Sequence, residues 1–432
     1  MKSNRKIIPI IFLFLFIINN GFSQSLSNRL EELSTNYQFT FEPLRTDTFF
    51  TEKYLIKLEQ PIDQRHPDGE TFIQRIYLAH YDFGSPVVLI TEGYTASYAG
   101  HPRYVNELSE ILKANQICVE HRYFGESVPR PLNWEYLNIY NAAADHHKVV
   151  EILKNIYRGS WVNTGISKGG QTMMYHRFFY PDDVSASIGY VCPLNFSIAD
   201  KRTKMFFKRV GDSICRNKIL DYQTEMLKNK SIYIPEFMKL ADEKKLTYKM
   251  GILQAYELTV FEYSFAFWQW GVTPCDSVPV DPLSPRQMVR HLDDVAGIDW
   301  VSDAGVRRFE PFYYQALTEI GFYGYDIGPF ENYVSFLSDP DFSFTAPQGV
   351  EVKYDPVPME KVDAFIRHQA QNMIFLYGED DPWSSTGVDL SYQTNSIKIV
   401  KPGGSHLTRI KNLLPDQQKI VIDSLKSWLN IK

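Results

Sequence analysis

The 432-residue chain is poor in cysteine, with four in all, and none is arranged in the paired spacing that a zinc site uses. HExxH, a Walker A loop and GxGxxG are also missing, so no motif calls for a metal or a nucleotide, and no cofactor is expected. Internal repeats, low-complexity tracts and heptads are absent as well, which excludes solenoids and coiled coils. Basic residues do not dominate: 45 Lys and Arg face 51 Asp and Glu, for a formal charge of −6. That balance argues against nucleic acid as a partner. Beyond the first two dozen residues no apolar run is long enough to span a bilayer, so no stable membrane association is expected.

The first residues, "MKSNRKIIPIIFLFLFIINNGFSQ", place Lys2, Arg5 and Lys6 ahead of an apolar run from Ile7 to Ile18, with small residues at Gly21 and Ser23. This is the pattern of a cleavable signal peptide over residues 1–23, the apolar run being short for a membrane span. No cysteine follows it, which argues against a lipoprotein anchor. A secreted or periplasmic protein is expected, three charges more negative once the segment is removed. Cys118 and Cys192 lie in apolar strands and read as buried thiols. Cys215 and Cys275 lie among polar residues in the middle of the chain, where export permits a disulfide between them.

One serine stands between glycines in "NTGISKGGQTMMYHRFFYP": Gly165-Ile166-Ser167-Lys168-Gly169 fits G-x-S-x-G. In that pattern a serine sits on a sharp turn from strand to helix, and small flanking residues let the backbone close. The context agrees. "SWVNTG" reads as a strand, the residues after Ser167 as a helix ended by Pro181, and "DVSASIGYVCPL" as a further apolar strand. "AAADHHKVVEILKNIY" before them has Val149, Ile152, Leu153 and Ile156 at helical spacing. Alternating helices and strands predict an α/β fold on a parallel sheet.

A serine hydroxyl needs a base, and the base needs an acid to hold its tautomer. In α/β-hydrolases they follow in the order Ser, Asp or Glu, His. His406, in "IVKPGGSHLTRI", is the only histidine after residue 368 and lies in a glycine-containing loop after a strand. The acid is expected after the preceding strand, in "NMIFLYGEDDPWSS"; Asp381, directly before Pro382, is the choice, with Asp380 and Glu379 as surface carboxylates. An oxyanion hole needs two backbone N–H groups. Lys168 would supply one, and Gly93 or Tyr94, in the loop after the apolar strand of "SPVVLITEGYTASYAG", the other.

Several stretches together, "QPIDQRHPDGETFIQRIYLAHYD", "TEGY", "EHRYFGES", "TGISKGGQT", "FYYQALTEIGFY" and "YGEDDPW", resemble the secreted proline-specific serine peptidases. The similarity is closest to the prolyl tri/tetrapeptidyl aminopeptidases of serine peptidase family thirty-seven. It is more distant to family twenty-eight, with Pro-Xaa carboxypeptidase and dipeptidyl peptidase II. The matches run from about residue 60 to residue 406. By resemblance the nucleophile falls on Ser167, the acid on Asp381 in Gly-x-x-Asp-Pro-Trp and the base on His406. The distant relatives carry Ser-Tyr-Gly-Gly at the nucleophile where this chain has Ser167-Lys168-Gly169-Gly170, which favours the aminopeptidases.

The resemblance implies an α/β-hydrolase core over residues 24–200 and 346–432, with a mainly helical lid inserted at 201–345. The lid segment is dense in aromatic residues: Phe265, Phe267, Trp268, Trp270, Phe312, Tyr313 and Tyr314. Most would pack helices; a few, Trp268 and Tyr314 foremost, are expected to wall a pocket for proline. Peptide substrates with a free amino end require a carboxylate near the site, for which Glu92 and Glu319 are candidates. Glu120, His121 and Arg122 would brace the site from below. The expected activity is release of short N-terminal peptides after proline. A carboxylesterase or lipase on the same fold is the alternative, weakened because "TEGY" replaces an HGGG-type loop. The intact Ser, Asp, His set argues against an inactive binding module.

Overall fold

The computed structural model describes residues 25–281, 283–335 and 341–431; the expected signal peptide, residues 1–23, lies outside them. The strands are β1 (Phe39–Leu44), β2 (Glu52–Pro61), β3 (Thr71–His80), β4 (Val87–Thr91), β5 (Asn115–Val119), β6 (Trp161–Ile166), β7 (Ala186–Tyr190), β8 (Met373–Gly378) and β9 (Ile397–Lys401). They form one sheet in the order β1-β2-β3-β5-β4-β6-β7-β8-β9. The three pairings from β1 to β5 are antiparallel and the five from β5 to β9 parallel. Strands such as "VVLIT" and "MIFLYG" are buried throughout, because the parallel part of the sheet is covered on both faces.

The helices are α1 (Leu26–Asn36), α2 (Glu107–Leu112), α3 (Ile139–Leu153), α4 (Lys168–Phe179), α5 (Lys201–Phe207), α6 (Ser213–Lys228), α7 (Lys230–Glu243), α8 (Ile252–Trp270), α9 (Pro285–Ala296), α10 (Asp303–Gln315), α11 (Val357–His368) and α12 (Pro415–Leu429). Alternation along β4 sends Val88 and Ile90 to the face covered by α2 and α12. Val87 and Leu89 point to the face covered by α1 and α3. The order of strands and their crossover helices is that of an α/β-hydrolase fold.

Helices α5 to α10, with a π-helical turn at Ala316–Ile320, lie between β7 and β8, which are neighbours in the sheet. Within this insertion α8, "ILQAYELTVFEYSFAFWQW", is buried nearly all round. Cys215, on α6, and Cys275, just beyond α8, are joined in a disulfide, whereas Cys118 and Cys192 are buried thiols.

The loop after β5 is held by a buried ion pair. Arg122 and Asp145 of α3 have side chains 0 and 1% exposed and meet through two 2.7 Å hydrogen bonds. The remaining guanidinium protons reach the carbonyls of Pro61, Ile62 and Tyr136. Removing one partner of such a pair strands a buried charge, while replacing both with apolar groups removes the problem. We predict that Arg122→Met lowers the unfolding free energy by about 3–5 kcal/mol, measured by urea titration. Arg122→Met/Asp145→Leu should recover part of that loss; a double variant less stable than both singles would refute this account.

Candidate active site

Ser167 occupies the turn between β6 and α4 with φ 54° and ψ −122°, a region that costs strain for any residue but glycine. The turn closes because its neighbours lack side chains. A Cβ on Gly165 would lie 2.0 Å from the Gly169 carbonyl oxygen, and one on Gly170 2.3 Å from Cys192 Cβ. The Ser167 N–H donates to the Tyr190 carbonyl at 2.8 Å, fastening the turn to the end of β7.

Asp381 and His406 meet at the ends of β8 and β9. His406 Nδ1 is 2.8 Å from Asp381 Oδ2, and the carboxylate is fully buried. Asp381 Oδ1 accepts the Trp383 N–H at 3.2 Å. The His406 backbone N–H donates to the Gln269 carbonyl at 2.8 Å, so the histidine loop is anchored to α8 of the insertion. The His406 ring stands edge-on to Trp270, with centroids 5.9 Å apart, and lies near Trp383 at 6.4 Å. Asp380 lines a cavity of about 470 Å³ with Ser405 and Trp268, and Glu379 accepts the Gly403 N–H.

Lys168 is buried, and its Nζ donates to the Gly93 carbonyl at 2.8 Å, over the rings of Tyr94 and Phe124. Burial pushes its ammonium well below the ordinary lysine pKa, with Glu92 opposing that shift. Gly93 must be glycine here, since a Cβ would lie 2.7 Å from Lys168 Cβ. Burial raises Glu92, against hydrogen bonds from the Tyr98 hydroxyl and the Gly93 N–H and the nearby Lys168 charge. Glu120 clasps the loop after β4: one oxygen accepts from Thr95 Oγ1 and the Ala96 N–H, the other from Glu126 N–H and Ser127.

Three further expected residues are Glu319, Tyr314 and Trp268. Glu319, on the π-helical turn, accepts the Ile139 N–H at the start of α3 at 2.8 Å, and burial lifts its pKa to about 7. With Tyr314 it lines a cavity of about 630 Å³ that includes Arg65, Lys353 and Phe179, the last residue of α4. Tyr314 packs on Trp134, and Trp268 on Phe267 beside the disulfide. Neither ring is among those that touch Tyr94 or Trp383. The rings of the insertion that do so are Phe309 and Phe312 on the Tyr94 side and Phe265, Phe322 and Tyr323 on the Trp383 side.

One acid escaped the sequence analysis. Glu262 of α8 is 9% exposed, and its Oε2 accepts 2.7 Å hydrogen bonds from both Tyr323 and Tyr325. Burial lifts its pKa to about 7. The available signal was an acid within the apolar run "LTVFEYSFAFW", since carboxylates are rarely buried without a purpose.

The family of PS-10 peptidase S37 matches residues 36–432. The prolyl tri/tetrapeptidyl aminopeptidase of Streptomyces mobaraensis is 32% identical over 387 residues, covering 88% of this chain and 80% of the relative. The lysosomal Pro-X carboxypeptidase of Bos taurus is 28% identical over 170 residues, covering 35% and 34%. Among solved structures, proline iminopeptidase from Mycobacterium smegmatis covers 87% of this chain and 99% of its own at 11% identity and a TM-score of 0.39. With nearly its whole described length matched, the chain belongs to the S37 family and is a serine peptidase.

Proposed function

We propose that the protein is an exported serine exopeptidase that releases short N-terminal peptides after proline through an acyl-enzyme on Ser167. The observation that carries this reading is the buried 2.8 Å bond between Asp381 and His406, taken with a serine held on a strained strand-to-helix turn. The identity to a prolyl tri/tetrapeptidyl aminopeptidase supports the specificity. Export rests on the residues 1–23 pattern, and no helix among the described residues is long and apolar enough to cross a membrane.

In this reading Ser167 Oγ attacks the carbonyl carbon of the prolyl residue while His406 Nε2 takes its proton. Asp381 holds the other ring nitrogen as N–H and stabilises the imidazolium. Backbone N–H groups receive the oxyanion. Lys168 supplies one. Gly93 or Tyr94 N–H, in the loop after β4, supplies the second. His406 then returns the proton to the departing amine, and water, activated by the same base, releases the acyl group. Residues 201–345 act as a lid that admits short chains, and rings from it and from Trp383 form the proline subsite.

Single changes of Ser167, His406 or Asp381 to Ala should each lower kcat by about 10⁴-fold or more, because the three act as a unit. Asp380→Ala should stay within about tenfold of the parent, and the reverse ranking of the two aspartates would overturn the assignment of the acid.

Specificity is tested separately. A peptidyl-prolyl anilide should be turned over at least about tenfold faster than its alanyl counterpart, since the ring's apolar contacts are worth about 1–3 kcal/mol. Faster turnover of simple p-nitrophenyl esters, with no preference for proline, would favour the esterase reading.

A further inference from the structure

Three carboxylates near the Ser167 turn are answered inside the protein. Asp381 holds His406, Glu120 accepts five hydrogen bonds, and Glu92 has Tyr98, the Gly93 N–H and nearby Lys168. Glu262 differs. Both tyrosine hydroxyls donate to Oε2, and among the described residues Oε1 accepts no hydrogen bond and no Lys, Arg or His pairs with the group. A buried carboxylate without a counter-charge is costly, so one that persists calls for a cation that arrives from outside.

Its position says which cation. In the sheet β6 lies between β4 on one side and β7 and β8 on the other, so the Ser167 turn lies between the Tyr94 loop and the Trp383 loop. Rings of the insertion span that interval: Tyr94 touches Phe312, Phe312 touches Phe322, and Phe322 touches Trp383, with centroids 5.1–5.7 Å apart. Tyr323 stacks on Phe265 at 3.7 Å and meets Trp383 at 5.2 Å, and its hydroxyl is one of the two that hold Glu262. The carboxylate is thus tied through Tyr323 to Trp383, whose N–H donates to Asp381, on the insertion side. An acyl chain of three or four residues extends about 10–14 Å from its carbonyl.

We propose that Glu262, held by Tyr323 and Tyr325, is the specificity residue that binds the α-ammonium of the peptide substrate. The proposal rests on the exopeptidase reading above and deepens it. Glu319, whose pKa burial also lifts to about 7, is committed to the start of α3 and shares its cavity with Arg65 and Lys353. Near neutrality the Glu262 carboxyl, with a pKa of about 7, would be drawn fully into its charged form by an arriving ammonium.

The test is the ratio of kcat/KM for a tripeptidyl prolyl anilide with a free amine to that for its N-acetylated form. The parent enzyme should show a ratio of about 100 or more, because acetylation leaves the carboxylate unpaired. Glu262→Gln keeps the size and hydrogen-bonding capacity of the side chain and should bring the ratio below about 5. Tyr325→Phe, which removes one of the two donors, should lower it by a smaller factor. Covalent labelling of Ser167 by an uncharged fluorophosphonate identifies variants that have folded with a competent nucleophile. A parent ratio near one would defeat the exopeptidase reading itself. A high parent ratio that survives in labelled Glu262→Gln, or that is lost in Glu319→Gln instead, would overturn the Glu262 assignment alone. So would restoration of rate on the acetylated substrate by a lysine side chain within it, because the carboxylate would then read a side-chain cation.

Discussion

The site depends first on a steric constraint: the turn at Ser167 exists only because nothing occupies the space around it. Gly165 and Gly169 approach so closely that a Cβ on the first would overlap the carbonyl of the second. The same closeness draws the neighbouring strand in. A Cβ on Gly169 would lie 2.7 Å from the Thr91 carbonyl, and Thr91 Oγ1 hydrogen-bonds the carbonyls of both Thr164 and Gly169 at 3.0 Å. The ends of β4 and β6 and the first turn of α4 are therefore one packed unit. The strain at Ser167 persists because the surrounding contacts over-determine it. Once the turn is closed, the backbone of the loop after β4 has to pass beside Lys168.

The second dependence runs between the core and the insertion. His406 belongs to the core by sequence, yet its backbone N–H is held by Gln269 of α8. Trp270 from the same helix end stands against its ring. A histidine loop rich in glycine would be poorly fixed alone; here the insertion supplies the order. From the opposite side, Glu120 and the Arg122–Asp145 pair hold the loops after β4 and β5. Groups that must meet to within a fraction of an ångström are thus braced by buried polar contacts in layers that the sheet alone does not connect.

Much of this was legible in the chain because it is written in local patterns. Apolar runs such as "VVLIT" mark the central strands, and the glycines around Ser167 mark the turn. Asp381 before Pro382 and His406 after two glycines are reached from chain order and strand ends, and their side chains do meet. What remained illegible depends on rotation about helix axes. Successive helical residues differ by about 100°, so "FYYQ" does not reveal that Phe312 faces Tyr94 while Tyr314 turns to Trp134. Trp268 and Trp270 differ in the same way, the second being the one beside His406.

Glu262 was hidden for a related reason. Helix α8 is apolar on nearly every side, so its pattern announces burial but no preferred face, and its two central acids look equivalent. The structure separates them by partners. Glu257 pairs with Lys230 at 2.7 Å and accepts the Ser335 N–H, as a structural carboxylate does. Glu262, five residues later, points away by more than a quarter turn and among the described residues hydrogen-bonds only to hydroxyl groups, which solvate a charge without cancelling it. A carboxylate that served stability alone would be better replaced by an apolar side chain in such surroundings, since burying its charge costs more than two neutral hydrogen bonds return. Its retention is intelligible if the folded protein is incomplete in charge and the substrate completes it, so that the same burial that disfavours the empty site strengthens the pairing when an ammonium enters.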